Sequence, residues 1–216
     1  MQAGAIPTLV QHRIAVLGSA VAIGAGAGIA AAVLSAHGSG TAVEPSRPAA
    51  TWAAQAVRAP ELRLVDPQGR AVTLAALRGR PAIVTFIDPV CRDLCPLEAR
   101  VLAQVHHDLG AAAPSLVAVS VNPPADTQAN LDKSARVWGV PDSWRWAIGT
   151  PTALARAWRA YHVGVQTIRK TIAGVSVREV AHTEAAYVID AAGYQRALFI
   201  YPFVAADVEQ VLKNLD

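Results

Sequence analysis

The chain is poor in sulfur, in aromatic rings and in charge. Its 216 residues include two cysteines, one methionine and three phenylalanines; aromatics make up 6% and charged residues 16%. Two cysteines cannot staple a scaffold, and a domain of roughly 150 residues buries enough surface to fold without disulfides or metals. With 53% hydrophobic residues, the chain is too apolar to be intrinsically disordered. No cationic run is present: 19 Lys and Arg against 16 Asp and Glu are spread along the sequence, so nucleic-acid binding has no electrostatic footprint. Alanine supplies 45 residues, so part of the apolar count is methyl groups and not large core side chains.

The apolar excess is concentrated near the start. Residues 14–36 carry no charge, and as a helix they would span about 34 Å, enough for the hydrocarbon core of a bilayer. Only Ile14, Val16, Leu17, Val21, Ile23, Ile29, Val33 and Leu34 are large, and Gly24 and Gly28 form a small-xxx-small pair. Arg13 precedes the run, which favours a cytoplasmic segment 1–13, a single-pass anchor 14–36 in the cell (inner) membrane, and a soluble body on the periplasmic side. The alternative is a cleaved signal peptide with a site at Ala36-His37-Gly38, which also exports the body. No cysteine lies near the end of the run to carry a lipid. Residues 37–60, rich in Ala, Ser, Gly and Pro, read as a flexible tether able to reach about 80 Å when fully extended.

The body, 61–216, alternates strand-like and helix-like segments. Residues 62–65 and 72–74 flank the turn Asp66-Pro67-Gln68-Gly69 as an N-terminal β-hairpin. Residues 82–87 and 116–121 are continuous apolar runs of the kind buried parallel strands show. Leu97, Val101, Val105 and Leu109 predict one helical stripe closed by Gly110; Asp126-Thr127 caps a second helix with Leu131, Ala135 and Trp138 inside. Leu154, Trp158 and Tyr161 mark a third helix after a short strand at 144–148. A less regular stretch follows, then a hairpin, 185–189 and 197–200, and a closing helix with Val208, Val211, Leu212 and Leu215. The sum is an α/β fold with helices on both faces of a mixed sheet, on the plan of the thioredoxin fold with additions.

Both cysteines, Cys91 and Cys95, fall where the run 82–87 hands over to a helix, at the kind of sheet-end corner where α/β proteins bind ligands. Pro96 suits the first helical position, and the helix dipole there lowers thiol pKa, as both redox chemistry and soft-metal binding require. The C-x-x-x-C spacing also permits a simple disulfide. Two thiolates do not fill a zinc site, but they suit copper(I), with an imidazole as the natural third donor. Four histidines lie in the body: His106 and His107 beside the helix stripe, His162 at a helix end, and His182 in an irregular loop before the strand 185–189. Position alone gives His182 a structural role more readily than a metal-binding one.

The motifs in combination resemble the Sco/SenC family of copper proteins that assist cytochrome c oxidase assembly. The resemblance spans roughly 61–215. It is carried by Phe86-Ile87-Asp88-Pro89-Val90-Cys91-Arg92-Asp93-Leu94-Cys95-Pro96, similar to F-x-x-T-x-C-P-D-x-C-P, and by Ser120-Val121-Asn122-Pro123-Pro124-Ala125-Asp126-Thr127, similar to S-V-D-P-x-x-D-T. His182-Thr183 ahead of Tyr187-Val188-Ile189-Asp190 and Gly193 resembles the family's histidine before its late hairpin. The resemblance implies a thioredoxin-like fold in which Cys91, Cys95 and His182 bind one copper ion, Cu(I) or Cu(II), with Asp93 as an outer-shell group. The sequence departs from the pattern at Pro89, Arg92, Asn122 and Ala181, none of which is a ligand position.

Three function classes follow. The first is a membrane-tethered metallochaperone that takes copper from a donor protein and delivers it to the copper-bearing subunit of a terminal cytochrome c oxidase. The second is an enzyme, a thiol–disulfide reductase whose redox-active pair, Cys91 and Cys95, keeps the oxidase's ligand cysteines reduced. The third is a peroxidase-like or copper-sensing role, disfavoured because Pro89 stands where an activating threonine is expected.

Overall fold

The structure, a computed structural model, describes residues 47–215. The expected cytoplasmic segment, the anchor and residues 37–46 of the expected tether lie outside the described residues. Among the described residues, no helix is long and apolar enough to cross a membrane.

In chain order the elements are β1 (Ala50–Thr51), β2 (Leu64–Val65), β3 (Ala71–Val72), β4 (Ala82–Ile87), α1 (Leu94–Leu109), β5 (Ser115–Ser120), α2 (Gln128–Trp138), β6 (Trp144–Ala147), α3 (Pro151–Ala160), β7 (Val165–Ile172), β8 (Val175–His182), β9 (Ala185–Ile189), β10 (Gln195–Ile200) and α4 (Ala205–Lys213). Six strands form one mixed sheet in the order β1-β10-β9-β4-β5-β6. β4, β5 and β6 are parallel, whereas β9 runs antiparallel to β4. Strands covered on both faces read as near-continuous apolar runs, and β4 is buried throughout, with Thr85 its one polar residue.

The two-residue alternation of a strand divides the core in two. Val84, Phe86, Val117 and Val119 face the layer of α3 and the paired strands β2 and β3. Ile83, Ile87, Leu116 and Ala118 face α1, α2 and α4. Phe86, Tyr161 and Tyr187 stack edge-on or tilted in the first layer, with ring centroids 5.0 to 6.3 Å apart. Thr127 and Thr150 start α2 and α3 by accepting from Asn130 N–H and Ala153 N–H, so two helix starts follow directly from cap chemistry.

Four expectations are corrected. The buried face of α1 is Cys95, Glu98, Ala99, Leu102 and Val105, while Leu97 is exposed. A buried glutamate interrupts that face, and an apolar search slides to the neighbouring stripe. Pro96 is the third helical residue and not the first, still within the turn whose N–H groups lack intrahelical partners, so no helical bond is lost. The end of the expected tether is packed: Ala50 and Thr51 pair with Leu198 and Ala197, Trp52 joins the first core, and Ala59 N–H donates to Gly193 O. Finally, the less regular stretch is a long antiparallel hairpin, β7 and β8, which turns at Ala173 and Gly174, both with positive φ. Most of its residues are exposed, so it shows no alternation of buried and polar positions.

Candidate metal centre

The antiparallel register of β9 on β4 brings the distant segments together. Thr85 lies opposite Ala186. Two residues further along the same register, Glu184 falls level with Ile87, where β4 gives way to the cysteine loop. His182, the last residue of β8, comes just before. In that loop Cys91 N–H donates to Asp88 O at 3.1 Å and Val90 N–H donates to Asp88 Oδ1 at 2.9 Å. This turn leaves Cys91 half-buried at the mouth, while Cys95, in the first turn of α1, is fully buried.

Cys95 Sγ lies 3.4 Å from His182 Nε2 and 3.7 Å from Glu184 Oε1, and His182 Nε2 lies 3.2 Å from Glu184 Oε1. These three donor atoms form the compact group, and Cys91 Sγ lies outside it. His182 Nδ1 is 3.2 Å from Thr183 O. A carbonyl can only accept, so Nδ1 carries the proton and Nε2 presents its lone pair to the thiols. Burial pushes the His182 pKa below its ordinary value, which keeps the ring neutral and able to bind a metal.

Both thiols are free, and they are unlike. Cys91 is lowered to about 6, first because Cys95 donates to its sulfur, with the Asp93 and Cys95 N–H groups assisting against burial. Cys95 is pushed far up by that same bond to Cys91, by burial and by the Glu184 carboxyl. The contact between the two thiols, more than the helix start, therefore activates one thiol and not both. Asp93 contributes its backbone N–H to Cys91 Sγ at 3.5 Å, and its side chain makes no cap bond. His107 and His162 are exposed, and His106 meets Ser143 Oγ at 2.6 Å, so none of the three joins the site.

Two sets of residues escaped the sequence reading. Glu98, wholly buried on α1, accepts from Thr85 Oγ1 at 2.5 Å. Burial raises the pKa of both Glu98 and Glu184, and each carboxyl leaves its Oε2 without a hydrogen-bond partner. Burial therefore favours the protonated form of both carboxyls. Local spacing can put residues 182 and 184 on one face, but it does not bring Glu184 to Cys95. The second set is a bridge whose Asp88–Asn122 half is buried. Asn122 Nδ2 donates to both Asp88 oxygens at 3.1 Å, and Arg178 Nη1 on β8 donates to Asn122 Oδ1 at 2.5 Å. The bridge ties the cysteine loop to the strand that carries His182.

Residues 52–215 match the SCO1/SenC family. The chain belongs to that family. Among solved structures, copper-bound ScoI of Bradyrhizobium japonicum is similar, with 23% identity, a TM-score of 0.63, and coverage of 74% of this chain and 100% of that one. Yeast Sco1 is similar at 20% identity and a TM-score of 0.63, covering 73% of this chain and 96% of its own. The thioredoxin domain of a thiol–disulfide oxidoreductase from Bacteroides vulgatus, at 16% identity and a TM-score of 0.53 over 76% of this chain and 96% of that one, places the family on the thioredoxin-like fold. No curated protein sequence matches the chain. A SCO1/SenC member is a copper-binding thioredoxin-like protein, and the donor set here fits the ion. A tetrahedral or trigonal centre with bonds of about 2.3 Å to sulfur and about 2.0 Å to nitrogen separates the two by about 3.5–3.8 Å. The distance from Cys95 Sγ to His182 Nε2 is 3.4 Å.

Proposed function

We propose that this SCO1/SenC protein is a membrane-tethered, extracytoplasmic copper metallochaperone that delivers the ion to the dinuclear copper site of a terminal cytochrome c oxidase. Cys91, Cys95 and His182 hold the cargo, and the ligand exchange begins at Cys91. The observation that carries the reading is the neutral imidazole of His182, locked by Thr183 with Nε2 facing the buried thiol 3.4 Å away. Two soft sulfurs and one imidazole satisfy Cu(I) without further donors. Exposed Val90, Leu94 and Leu97 surround the mouth and offer an apolar rim to a protein partner. Copper titration of the reduced protein should reveal one tight site, and unchanged binding in Cys91→Ser or His182→Ala would end the assignment.

A second reading, thiol–disulfide reduction of the oxidase's ligand cysteines, draws on the split between the thiols. An accessible thiolate at Cys91 attacks a partner disulfide, forming a mixed disulfide and releasing one partner thiol. Cys95 then displaces the second partner sulfur and closes the Cys91–Cys95 bond. Turnover with an oxidised cysteine-pair substrate, together with the reduction potential of the pair, tests this activity.

A further inference from the structure

We infer that Glu184 is a fourth metal donor, which weights the site towards divalent ions over Cu(I). The inference rests on the copper reading above and concerns the oxidation states that the site accepts. Its basis is a triangle: Cys95 Sγ to His182 Nε2 is 3.4 Å, Cys95 Sγ to Glu184 Oε1 is 3.7 Å, and His182 Nε2 to Glu184 Oε1 is 3.2 Å.

Around a tetrahedral ion with the bond lengths of a zinc site, sulfur and nitrogen stand about 3.5 Å apart, sulfur and carboxylate oxygen about 3.5–3.7 Å, and nitrogen and oxygen about 3.3–3.4 Å. Each observed edge is within about 0.2 Å of that figure, so three donors already stand as one face of a tetrahedron. Cys91 Sγ lies outside this triangle and would supply the fourth donor. The second oxygen of the carboxyl, Oε2, is not engaged elsewhere. The side chain is only 11% exposed, and it packs near Glu98, which Thr85 fixes from below.

The chemistry separates this donor from the other three. Thiolates and imidazole are enough for Cu(I), which is content with three soft ligands; Cu(II), Zn(II) and Co(II) take a fourth donor, and a carboxylate oxygen is a hard one that favours the higher charge. Removing Glu184 should therefore cost the divalent ions much more than the monovalent one.

The test titrates the reduced full-length protein, wild type and Glu184→Gln, with Cu(I), Cu(II) and Co(II) separately. In Glu184→Gln the affinity for Co(II) and Cu(II) should fall about tenfold or more, and that for Cu(I) should stay within about threefold. The intense visible bands of tetrahedral Co(II) should weaken or move in the variant. Equal losses for all three ions, or none for any, would overturn the inference. Glu184→Ala provides a second variant, accepted if its apo unfolding midpoint matches that of Glu184→Gln; otherwise the Co(II) spectrum of Glu184→Gln decides alone. The parent reading fails separately: a wild-type protein that does not bind Cu(I) refutes the chaperone, while the Co(II) comparison still reads the donor.

Discussion

Replacing Asn122 with alanine should loosen both halves of the site at once. Asn122 is the sole link between Asp88 in the cysteine loop and Arg178 on β8 that the hydrogen bonds describe. Asp88 is 6% exposed, and with Asn122 gone its carboxylate keeps only the Val90 N–H at 2.9 Å. Hydrogen bonds to charged groups contribute about 1.5–3 kcal/mol each, and a buried charge left short of partners costs the upper part of that range. Arg178 is exposed and can turn to water, so its half contributes about 1 kcal/mol. The expected loss is therefore about 3 kcal/mol, which in a domain of this size lowers Tm by about 6–12 °C. Urea unfolding of the apo protein, read as a shift in midpoint at constant slope, measures it. Because Arg178 anchors β8, amide exchange in residues 176–182 should quicken, and copper affinity should fall about tenfold through the misplaced His182. A loss below about 1 kcal/mol with exchange and affinity unchanged would show that the bridge is incidental.

Cys91 should be alkylated with a midpoint near pH 6, its thiolate forming as pH rises through that value, while Cys95 stays unreactive. In Cys95→Ser the Cys91 midpoint should stay low only as far as the serine hydroxyl replaces the lost donor, and Cys95→Ala should move it towards the ordinary 9.0. A wild-type midpoint above about 8 would contradict the asymmetry. Asp126 is pushed up to about 6 by burial, against the hydrogen bond from Ser120 and helped by the Asp88 charge. A folded pKa above the unfolded 3.8 favours the protonated fold, so its contribution is full below pH 3.8 and is lost as pH rises through about 6. Asp126→Asn should accordingly raise stability at pH 7.5 by about 1 kcal/mol after allowance for solvent screening, with a flatter pH profile in urea unfolding; an unchanged profile would count against it. Thr127→Ala removes the cap bond from Asn130 N–H at 3.3 Å and should cost about 1 kcal/mol by the same measurement, in contrast to a neutral change.

What could be read from the sequence follows burial. Residues 82–87 were legible as a buried strand because both faces of β4 are covered and every position but Thr85 is apolar; Thr127 marked a helix start because a hydroxyl there has a defined task. The β7 and β8 hairpin escaped because solvent on both sides removes the alternation that marks a half-buried strand. Its remaining signals were the β-branched residues Val165, Thr167, Ile168, Thr171, Ile172, Val175 and Val177, and the Ala173-Gly174 turn. Glu98 misled the reading of α1 for the opposite reason: it is a polar residue on a core face, and only the tertiary partner Thr85 explains it. At the site, motif resemblance singled out Cys91, Cys95 and His182, and the structure brings Cys95 and His182 together. Glu184 was not legible, since its proximity to Cys95 depends on an antiparallel register that no local pattern announces.

The distribution of burial over the site also orders the proposed exchange. Cys95 and His182 are fixed from beneath, one by the first turn of α1 and the other by the end of β8, and the His182 side chain is only 2% exposed. Cys91 sits in a loop at the mouth and is the thiolate of the pair at neutral pH. An incoming ligand can therefore reach the cargo beside Cys91 first, and Cys91 is the donor most readily surrendered to it. The same asymmetry serves disulfide exchange, where an exposed thiolate attacks and a buried thiol resolves. What disulfide exchange does not require is an imidazole with its proton committed to Thr183 and its lone pair aimed at the resolving sulfur. The thiols alone support either chemistry, and the orientation of His182 adds a donor that suits metal binding.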